Sequence, residues 1–359
     1  MLLSLSQENF RNLKRFSFEF SQGITVISGQ NGHGKTNLLE AAHTICQGFS
    51  FRTRNLQDAI NWNSENFILR GITAGTDGSK SESAIQVAKD ITKVKLNGKE
   101  FRRATALFGN APTVTLSPED IELVRGSPEN RRNYLDELLC HQKKNNIDLL
   151  RKYRRVLQQR NKWLRDNLAG IDCGGEDLYF ALTEQLVSLA VQVWNARAEL
   201  CKIIAPLIND FYRQLASSTE FLTFLYNKNL SAEEFSKALT AKFAAERASG
   251  STLAGPHKDD VEFTLHNHSV RENGSQGQCR SLALAMRLAA AELIESECGI
   301  KPILLLDDIF AELDSSRRGA IAEIVRNKQC QVFAATPRKE DLPFTGDCYI
   351  DVRDGCMIV

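Results

Sequence analysis

The chain has 359 residues, which is enough for two or three domains and a sizeable hydrophobic core. It is 42% hydrophobic and 25% charged, and its formal net charge is +1, so any affinity for nucleic acid has to come from a local patch. No apolar run approaches the roughly 20 residues that span a bilayer, and the N-terminal residues lack the pattern of a secretory signal, so we expect no membrane partner.

The beginning of the chain predicts an α/β arrangement. In residues 1–27, apolar and polar residues alternate as in two strands joined by a turn, and the segment ends in a short apolar strand. A glycine-rich loop follows, and then a helix whose apolar positions lie at helical spacing over residues 38–45. Residues 67–102 predict an antiparallel meander with turns at Asp77-Gly78 and Asn97-Gly98.

The middle of the chain predicts a helical insertion. Segments 117–120 (SPED) and 127–129 (SPE) each have the composition of a helix start, with a serine cap, a proline and acids in the first turn. Two helical apolar stripes follow, at about 130–168 and 178–204, with a glycine-rich break between them and Pro206 expected to kink the end of the second. We therefore expect an antiparallel hairpin with arms roughly 50 to 60 Å long.

The last third of the chain returns to α/β character. After a helix near 231–248, the pattern predicts strands at 261–265, 303–306 and 331–335 and helices at 281–297 and 315–327. The two ends of the chain are therefore expected to form one discontinuous head domain, residues 1–115 and 255–359. Residues 116–254 form the inserted, mainly helical domain with a basic hairpin.

A complete phosphate-binding motif lies between the first buried strand and the first helix. Its eight positions match G-x-x-x-x-G-K-[ST]: Gly29, Gln30, Asn31, Gly32, His33, Gly34, Lys35 and Thr36. Glycines allow backbone N–H groups to wrap phosphates, with help from the positive end of the helix. Lys35 is expected to reach the β- and γ-phosphates, and the Thr36 hydroxyl to ligate Mg²⁺.

A second part of the nucleotide site is predicted at the end of the apolar strand 303–306. Asp307 and Asp308 follow it, at the strand end where ligands bind in parallel sheets. Asp307 is expected to hold Mg²⁺ and Asp308 to orient or deprotonate the attacking water as a catalytic residue with Lys35. The chain lacks an Asn-Lys-x-Asp guanine reader, since its nearest string, residues 227–230, has no aspartate, so ATP is favoured over GTP.

Another helix start lies 32 residues before Asp307. Its four residues, Ser275, Gln276, Gly277 and Gln278, offer a hydroxyl and free N–H groups to an anion, although taken alone they fit an ordinary serine cap better. The order of motifs favours the functional interpretation. The phosphate loop, this Ser-x-Gly-Gln segment, the paired acids and then Ala311-Glu312-Leu313-Asp314 together resemble the ATP-binding-cassette superfamily.

That resemblance implies a site shared between two copies. Ser275–Gln278 would close over the γ-phosphate that a second copy's phosphate loop holds, so that two ATP molecules are buried between two heads. Asp314 would lie across the same interface. Thr336 falls at the position where many cassette proteins have a switch histidine near the γ-phosphate, and it departs from that pattern while remaining a catalytic candidate.

Six further segments resemble the RecF family of bacterial DNA replication and repair proteins: residues 9–13, 36–41, 117–120, 126–136, 254–260 and 274–278. Their order and the chain length agree, so the resemblance covers essentially the whole chain. It implies an α/β ABC-type ATPase head, with a mixed sheet and an antiparallel β subdomain, that carries an inserted α-helical hairpin.

The resemblance also implies a function. RecF-like proteins dimerise on ATP, bind double-stranded DNA and gapped or single/double-strand junction DNA, and hydrolyse ATP weakly, stimulated by DNA. They act with a RecR-like mediator, and with RecO and RecA in the pathway, in recombinational repair, replication restart and the SOS response.

One feature independent of the resemblance points to DNA. Residues 143–165 contain nine cations and one acid, a local charge of +8, and four of the cations share a helical face: Arg151, Arg155, Lys162 and Arg165. Such a stripe suits salt-dependent contacts with phosphates. A solvated helix face is the alternative, although solvated faces normally mix signs. Arg52 and Arg54 are further candidates to contact DNA or nucleotide.

Two other cassette proteins remain as alternatives. The motor subunit of a transporter would share the nucleotide site, but its paired acids normally lie much closer to the phosphate loop than the 272 residues between Lys35 and Asp307. A chromosome-structural head of the SMC type would need arms of hundreds of residues. The nine cysteines stand singly, without a Cys-x-x-Cys pair, which predicts reduced thiols in a cytoplasm. The RecF resemblance implies that the protein is also associated with the nucleoid.

Overall fold

The computed structural model describes residues 1–89, 91–216, 220–228, 230 and 232–358. The strands are β1 (Leu2–Glu8), β2 (Phe16–Glu19), β3 (Ile24–Ser28), β4 (Asn66–Ala74), β5 (Lys80–Ala88), β6 (Thr92–Leu96), β7 (Lys99–Phe101), β8 (Thr113–Leu116), β9 (Leu222–Asn227), β10 (Asp260–Leu265), β11 (His268–Ser269), β12 (Ile303–Asp307), β13 (Val332–Thr336), β14 (Cys348–Arg353) and β15 (Cys356–Ile358). The α-helices are α1 (Lys35–Gln47), α2 (Glu122–Arg125), α3 (Pro128–Gln142), α4 (Lys144–Leu168), α5 (Gly175–Ala216), α6 (Ala232–Ala241), α7 (Phe243–Ser249), α8 (Val270–Asn273), α9 (Gln276–Cys298) and α10 (Ser315–Lys328).

The chain divides into two compact units. Unit 1 comprises Met1–Asp120, Gln214–Ser218 and Leu284–Val359, and unit 2 comprises Ile121–Arg213 and Thr219–Ala283. These units differ from the division expected from the sequence over residues 116–120, 214–218 and 255–283, and the expected domain boundaries stay a prediction.

Unit 1 contains two six-stranded sheets. One is mixed, in the order β15-β14-β3-β13-β12-β8, and all of its neighbours are parallel except β14 and β15. The other is antiparallel, in the order β2-β1-β4-β5-β6-β7, and includes the predicted meander. Helix α1 supplies Leu39 and Ile45 to a core cluster that also holds Phe67 of the antiparallel sheet and Phe333 of the mixed sheet. Burial of α1 in this core fixes the loop that precedes it.

Unit 2 contains the predicted antiparallel hairpin and a three-stranded sheet, β11-β10-β9. The direction of the hairpin follows from two contacts: Arg160 of α4 donates to the Thr183 hydroxyl (3.0 Å), and the Trp163 indole, farther along α4, donates to the Gly175 carbonyl at the start of α5 (2.9 Å). The Arg160 guanidinium also pairs with Glu246 of α7 at 2.6 Å, and both side chains are fully buried. This ion pair joins the hairpin to α7.

The first arm of the hairpin is not one helix, as the sequence predicts, but two. Helix α3 ends at Gln142, and Lys143 has an extended backbone before α4 begins. The apolar stripe is interrupted between Leu139 and Leu149. The Asn146 side chain donates a hydrogen bond to the Leu139 carbonyl (2.8 Å), and this bond favours the end of α3 at that point. The predicted helix at 231–248 is likewise two helices, α6 and α7, and residue 231 lies outside the described residues.

Two local details differ from the sequence pattern. Helix α5, 42 residues long, continues past Pro206 to Ala216, beyond the stripe predicted to end near residue 204, and Ile204, Ile208 and Tyr212 lie on its buried face. The predicted kink at Pro206 stays a prediction. The two serine caps also lack their expected hydrogen bonds. Ser127 precedes α3 without a side-chain cap, and at Ser117 it is the backbone N–H that is bound, by the carboxylate of Asp120 (2.7 Å).

No helix among the described residues, α5 included, combines the length and apolarity needed to cross a bilayer.

Candidate nucleotide site, signature helix and basic stripe

The backbone of the phosphate loop requires glycine at two positions. Gly29 has a φ of 151°, and a Cβ there would lie 2.3 Å from the Val352 carbonyl oxygen. Gly34 has a φ of 114°, and a Cβ there would lie 2.9 Å from the Asn12 side chain. Both backbone angles are ones that residues with a side chain rarely adopt. Helix α1 begins directly after Gly34, so its free N–H groups face an anion held by the loop.

The Lys35 side chain lies within the phosphate loop. Its ammonium donates to the Gly29 carbonyl (2.9 Å), to the Gln30 carbonyl (3.4 Å) and to the Asn31 side chain (3.4 Å). It also lies 3.7 Å from Asp308 Oδ2, and the side chain is only 3% exposed. A nearly buried cation surrounded by loop oxygens suits a phosphate group, which is a stronger acceptor than a carbonyl.

Thr36 and Asp307 meet as the sequence predicts. The Thr36 hydroxyl donates to Asp307 Oδ1 at 2.9 Å, across the gap between the start of α1 and the end of β12. The pKa of Asp307 is raised to about 6, chiefly by burial; the Thr36 hydrogen bond lowers the pKa and the neighbouring Asp308 carboxylate raises it, and both effects are included in that value. A cation placed beside these two oxygens would favour the ionised carboxylate.

Asp308 has an unusual backbone and an unused oxygen. Its φ is 51°, in the left-handed region, and its N–H donates to the Ala335 carbonyl of β13 (3.2 Å). Burial raises the pKa of its carboxyl group. Its Oδ1 is buried and has no hydrogen-bond partner among the described residues. Such features concentrate at functional sites.

The donor set fits magnesium. Thr36 and Asp307 offer a hydroxyl and a carboxylate oxygen close together, and Mg²⁺ is usually held by one or two carboxylates together with phosphate oxygens. Among the residues that the structure describes, no group of three or more histidine, cysteine, aspartate or glutamate side chains could hold a metal ion on its own. Magnesium therefore fits this position only together with nucleotide phosphates.

Sequence reasoning missed the residues that brace the loop from outside. Asn12 donates to the Gly32 carbonyl (2.9 Å) and accepts from the Asn37 side chain (2.7 Å). Arg11 forms two hydrogen bonds with the buried Glu40 of α1, at 3.0 and 2.7 Å. Arg11 and Asn12 both belong to segment 9–13, which resembles the RecF family, but that resemblance did not predict their contacts with the phosphate loop and α1.

The C-terminal hairpin also holds the loop. The Gly355 N–H, in the turn between β14 and β15, donates to the His33 carbonyl (3.0 Å). The His33 ring lies 3.8 Å from Asp354 Oδ1. The predicted loop residue His33 is thus fixed by a turn that follows it by more than 300 residues in the chain.

The Ser275–Gln278 segment forms a capping box at the start of α9. The Ser275 hydroxyl accepts from the Gln278 N–H (3.1 Å), and the Gln278 side chain accepts from the Ser275 N–H (2.9 Å). Arg125 donates to the carbonyl of Gly274, just before the cap (3.1 Å). Gln276 and Gly277 occupy the first turn. Ser275 and Gln278 thus cap α9 as expected. The contact of this segment with a nucleotide bound by a second copy stays a prediction.

Two other expected site residues have local partners. Asp314 caps α10 by accepting from the Arg317 N–H (2.9 Å), and this hydrogen bond holds the pKa of the carboxyl group below its usual value. Thr336 ends β13, one residue after the Ala335 that pairs with Asp307, and its hydroxyl donates to the Arg338 carbonyl (2.8 Å). Thr336 thus lies on the strand next to the paired acids.

The four residues of the basic stripe on α4 are all exposed: Arg151, Arg155, Lys162 and Arg165. The stripe lies opposite the face that buries Tyr153 and Trp163. Arg160, another of the nine cations in residues 143–165, is not on the surface. It is buried in the ion pair with Glu246 and cannot contact DNA. Arg52 also has protein partners, donating to Asn37 (2.7 Å) and to Glu40 (3.4 Å).

The sequence and fold match known proteins over nearly the whole chain. The family model described as "RecF/RecN/SMC N terminal domain" matches residues 1–352. The DNA replication and repair protein RecF of Geobacter metallireducens is 35% identical over 348 residues, which cover 94% of this chain and 93% of that protein. RecF of Geobacillus kaustophilus is 34% identical over 345 residues, which cover 93% and 92%. The chain belongs to the RecF family.

Solved structures agree with the RecF assignment. The structure of the recombination mediator protein RecF with ATP, in the RecFOR pathway, has a TM-score of 0.92 at 30% identity and covers 99% of this chain and 96% of that one. An Smc head bound to a domain of ScpA has a TM-score of 0.59 at 18% identity, which shows a shared fold alone. The predicted ABC-type ATPase head of the RecF and SMC kind is therefore confirmed.

The structure gives a physical role to the segment 254–260 that marks the RecF resemblance. Asp259 is buried and accepts from the Trp194 indole and from the Tyr226 hydroxyl, both at 2.6 Å. His257 bonds to the Tyr153 hydroxyl at 2.8 Å. These contacts join β10 to α4, α5 and β9, so in this RecF-family chain the segment acts as a junction within unit 2.

Proposed function

We propose that the chain binds ATP with Mg²⁺ and dimerises through the bound nucleotide, so that ATP controls its binding to DNA. The observation that supports this most directly is the convergence of Lys35, Thr36, Asp307 and Asp308 at the phosphate loop. The four groups come from opposite ends of the chain, and no packing requirement explains a buried acid and a half-buried acid next to each other beside a buried lysine.

Each residue of this group has a distinct role. Lys35 would bind the β- and γ-phosphates, and Thr36 and Asp307 would hold a magnesium ion. Bound there, the ion would supply positive charge against the charge that develops on the phosphates. Asp308 orients or deprotonates the attacking water, and the raised pKa of its carboxyl group strengthens it as a base.

Hydrolysis is expected to be slow and to act as a switch. Asp308 is one methylene shorter than the glutamate that most cassette ATPases use, so it reaches less far towards the attacking water. DNA is expected to stimulate the reaction by stabilising the dimer in which the site is complete.

In the dimer, Ser275 and the N–H groups of the first turn of α9 contact the γ-phosphate bound by the other copy. The capping box leaves the serine hydroxyl proton available to donate, since the hydroxyl oxygen is the acceptor in the cap. The positive end of a 23-residue helix adds to the attraction. Asp314 lies across the same interface.

The DNA partner is double-stranded DNA and single/double-strand junction DNA, bound through the basic stripe of α4. Solved relatives described as recombination mediators of the RecFOR pathway support a RecR-like mediator as the protein partner, with RecO and RecA in the pathway. The role is recombinational repair and replication restart in the cytoplasm, at the nucleoid.

The mass of the protein measured by light scattering tests this proposal. We expect monomers without nucleotide, dimers with ATP and magnesium, and a larger complex when gapped DNA is added. The Asp308→Asn variant is a useful companion, because it should bind ATP, release no phosphate and remain dimeric. A wild-type protein that stays monomeric at saturating ATP, yet still binds gapped DNA, contradicts the proposal.

A further inference from the structure

Trp62 is a fully exposed tryptophan. Its relative exposure is 101%, whereas the other two tryptophans, Trp163 and Trp194, are 3% and 1% exposed. Tryptophan is the side chain with the largest apolar surface, and proteins normally bury most of it. The indole of Trp62 therefore contributes nothing to the core of unit 1.

The turn that carries Trp62 is held firmly. The Asn61 N–H donates to the Asn9 carbonyl (2.9 Å), and the Asn61 side chain donates to the Arg11 carbonyl (2.5 Å). The Ser64 N–H closes the turn on the Asn61 carbonyl (2.9 Å). An exposed indole on a braced turn loses little conformational freedom when a ligand binds, so its position favours recognition.

The groups around this turn are polar and cationic. Glu8, the residue before Asn9, pairs with Arg15 (3.3 Å) and Arg70 (3.4 Å), whose side chains are 81% and 54% exposed. Within its own turn, Trp62 is flanked by asparagine, serine and glutamate side chains. A protein partner normally requires a contiguous apolar patch. A single flat aromatic ring, on a turn that is bonded to the strand end where Glu8 pairs with two exposed guanidinium groups, instead matches surfaces that stack an unpaired base and bind its phosphates.

We propose that Trp62 stacks on an unpaired base of single-stranded DNA, and that Arg15 and Arg70 contact the phosphates beside that base. The inference rests on the proposed function, since it assigns a surface to the single-stranded part of the junction DNA named there. The basic stripe of α4 is assigned to duplex phosphates, so the two surfaces predict different effects of mutation.

Intrinsic fluorescence gives a direct test, because Trp62 is the only exposed tryptophan. Oligothymidylate should quench the emission of the wild-type protein, since stacking on a base quenches an indole. The Trp62→Phe variant keeps the two buried tryptophans, and its emission should not respond. Equal quenching of wild type and variant contradicts the proposal.

Binding measurements separate this inference from the proposed function. Trp62→Ala should weaken binding of oligothymidylate and gapped DNA by about 5- to 150-fold, the range typical for the loss of one stacked base. Affinity for blunt duplex should be unchanged. Phe221→Ala, which removes another exposed aromatic ring (69% exposed), is the control and should change neither affinity.

Three other outcomes would contradict the proposal that Trp62 stacks on an unpaired base. If the wild type binds gapped DNA and Trp62→Ala binds equally well, only the stacking role is wrong. If Trp62→Ala instead loses a purified RecR-like mediator or the ATP-dependent dimer while keeping DNA affinity, the surface binds protein. If the wild type binds no DNA of any form, the proposed function fails together with the inference.

Discussion

The ammonium of Lys35 lies 3.7 Å from Oδ2 of Asp308, although one residue follows β3 near the start of the chain and the other follows β12 near its end. The mixed sheet explains this proximity. β13 lies between β3 and β12 and is parallel to both, so the carboxyl ends of the three strands meet at one edge. Every residue of the nucleotide site in unit 1 depends on that strand order.

Lys35→Ala should abolish ATP binding while the protein stays folded. The lysine ammonium contacts loop carbonyls and Asp308, so its loss removes the positive charge that the phosphates need. Isothermal titration with ATP measures the effect. The exposed Lys80→Ala is the matched control and should bind ATP normally. Undiminished affinity in Lys35→Ala would mean that the site is misplaced.

Ser275→Arg should leave ATP binding intact and prevent the ATP-dependent dimer. Ser275→Ala is the control, because both variants lose the same capping hydrogen bond, which typically contributes about 1 kcal/mol. Only arginine adds bulk and positive charge at the surface expected to meet the other copy. Light scattering with ATP should therefore show a stronger defect for arginine than for alanine. Normal dimers of the arginine variant contradict the assignment of the Ser275–Gln278 segment.

Reversing Arg151, Arg155 and Lys162 to glutamate should weaken binding to all DNA sequences and flatten its dependence on salt. Each phosphate contact that is lost reduces the slope of log affinity against log salt by about 0.9 on duplex DNA. Fluorescence anisotropy at several salt concentrations measures both quantities.

A matched triple reversal tests whether total charge explains the result. Lys202, Arg213 and Lys237 are also exposed and belong to the same unit, but they lie outside the stripe. Their reversal changes the net charge equally and should have a much smaller effect. If the two triple variants lose DNA affinity equally, the stripe has no specific role.

Acid should destabilise unit 2 through His257. The pKa of this histidine is lowered from 6.5 to about 4, chiefly by burial and with a smaller contribution from the nearby cations Lys258, Arg132 and Arg160. The folded protein therefore keeps the imidazole neutral while the unfolded chain protonates it. Its contribution to stability is complete above pH 6.5 and is lost as the pH falls from 6.5 towards 4.

Urea unfolding at pH 8 and pH 5.5 measures this effect. The wild type should lose unfolding free energy between pH 8 and pH 5.5, partly because His257 is protonated only in the unfolded chain. Replacing His257 with glutamine removes this contribution, so the variant should lose about 1.4 kcal/mol less. His141, whose pKa burial also lowers to about 4, should continue to contribute in the variant.

Local patterns were sufficient where a short segment sets its own structure. The phosphate loop, the Asp77-Gly78 and Asn97-Gly98 turns and the cap at Ser275 depend on backbone angles and hydrogen bonds among neighbours in the chain. The apolar run that ends at Asp307 likewise identifies a strand buried on both faces. Residue types alone determined these elements.

Local patterns failed where packing between distant segments outweighs propensity. The second apolar stripe was expected to stop near residue 204, but α5 and its buried face continue past Pro206. Arg160 was counted among the nine cations of residues 143–165, although it is buried in an ion pair with Glu246, 86 positions later in the chain. No pattern within either helix shows that the two residues meet.

The amino-acid sequence by itself determined the family, the fold class and the residue types of the nucleotide site, because those are set by short motifs and their order. Only the tertiary structure decided which acid lies beside Lys35, which arginines stay on the surface, and that Asn12 and Gly355 brace the phosphate loop. These outcomes depend on strand order and on burial of charge, which arise when segments far apart in the chain pack together.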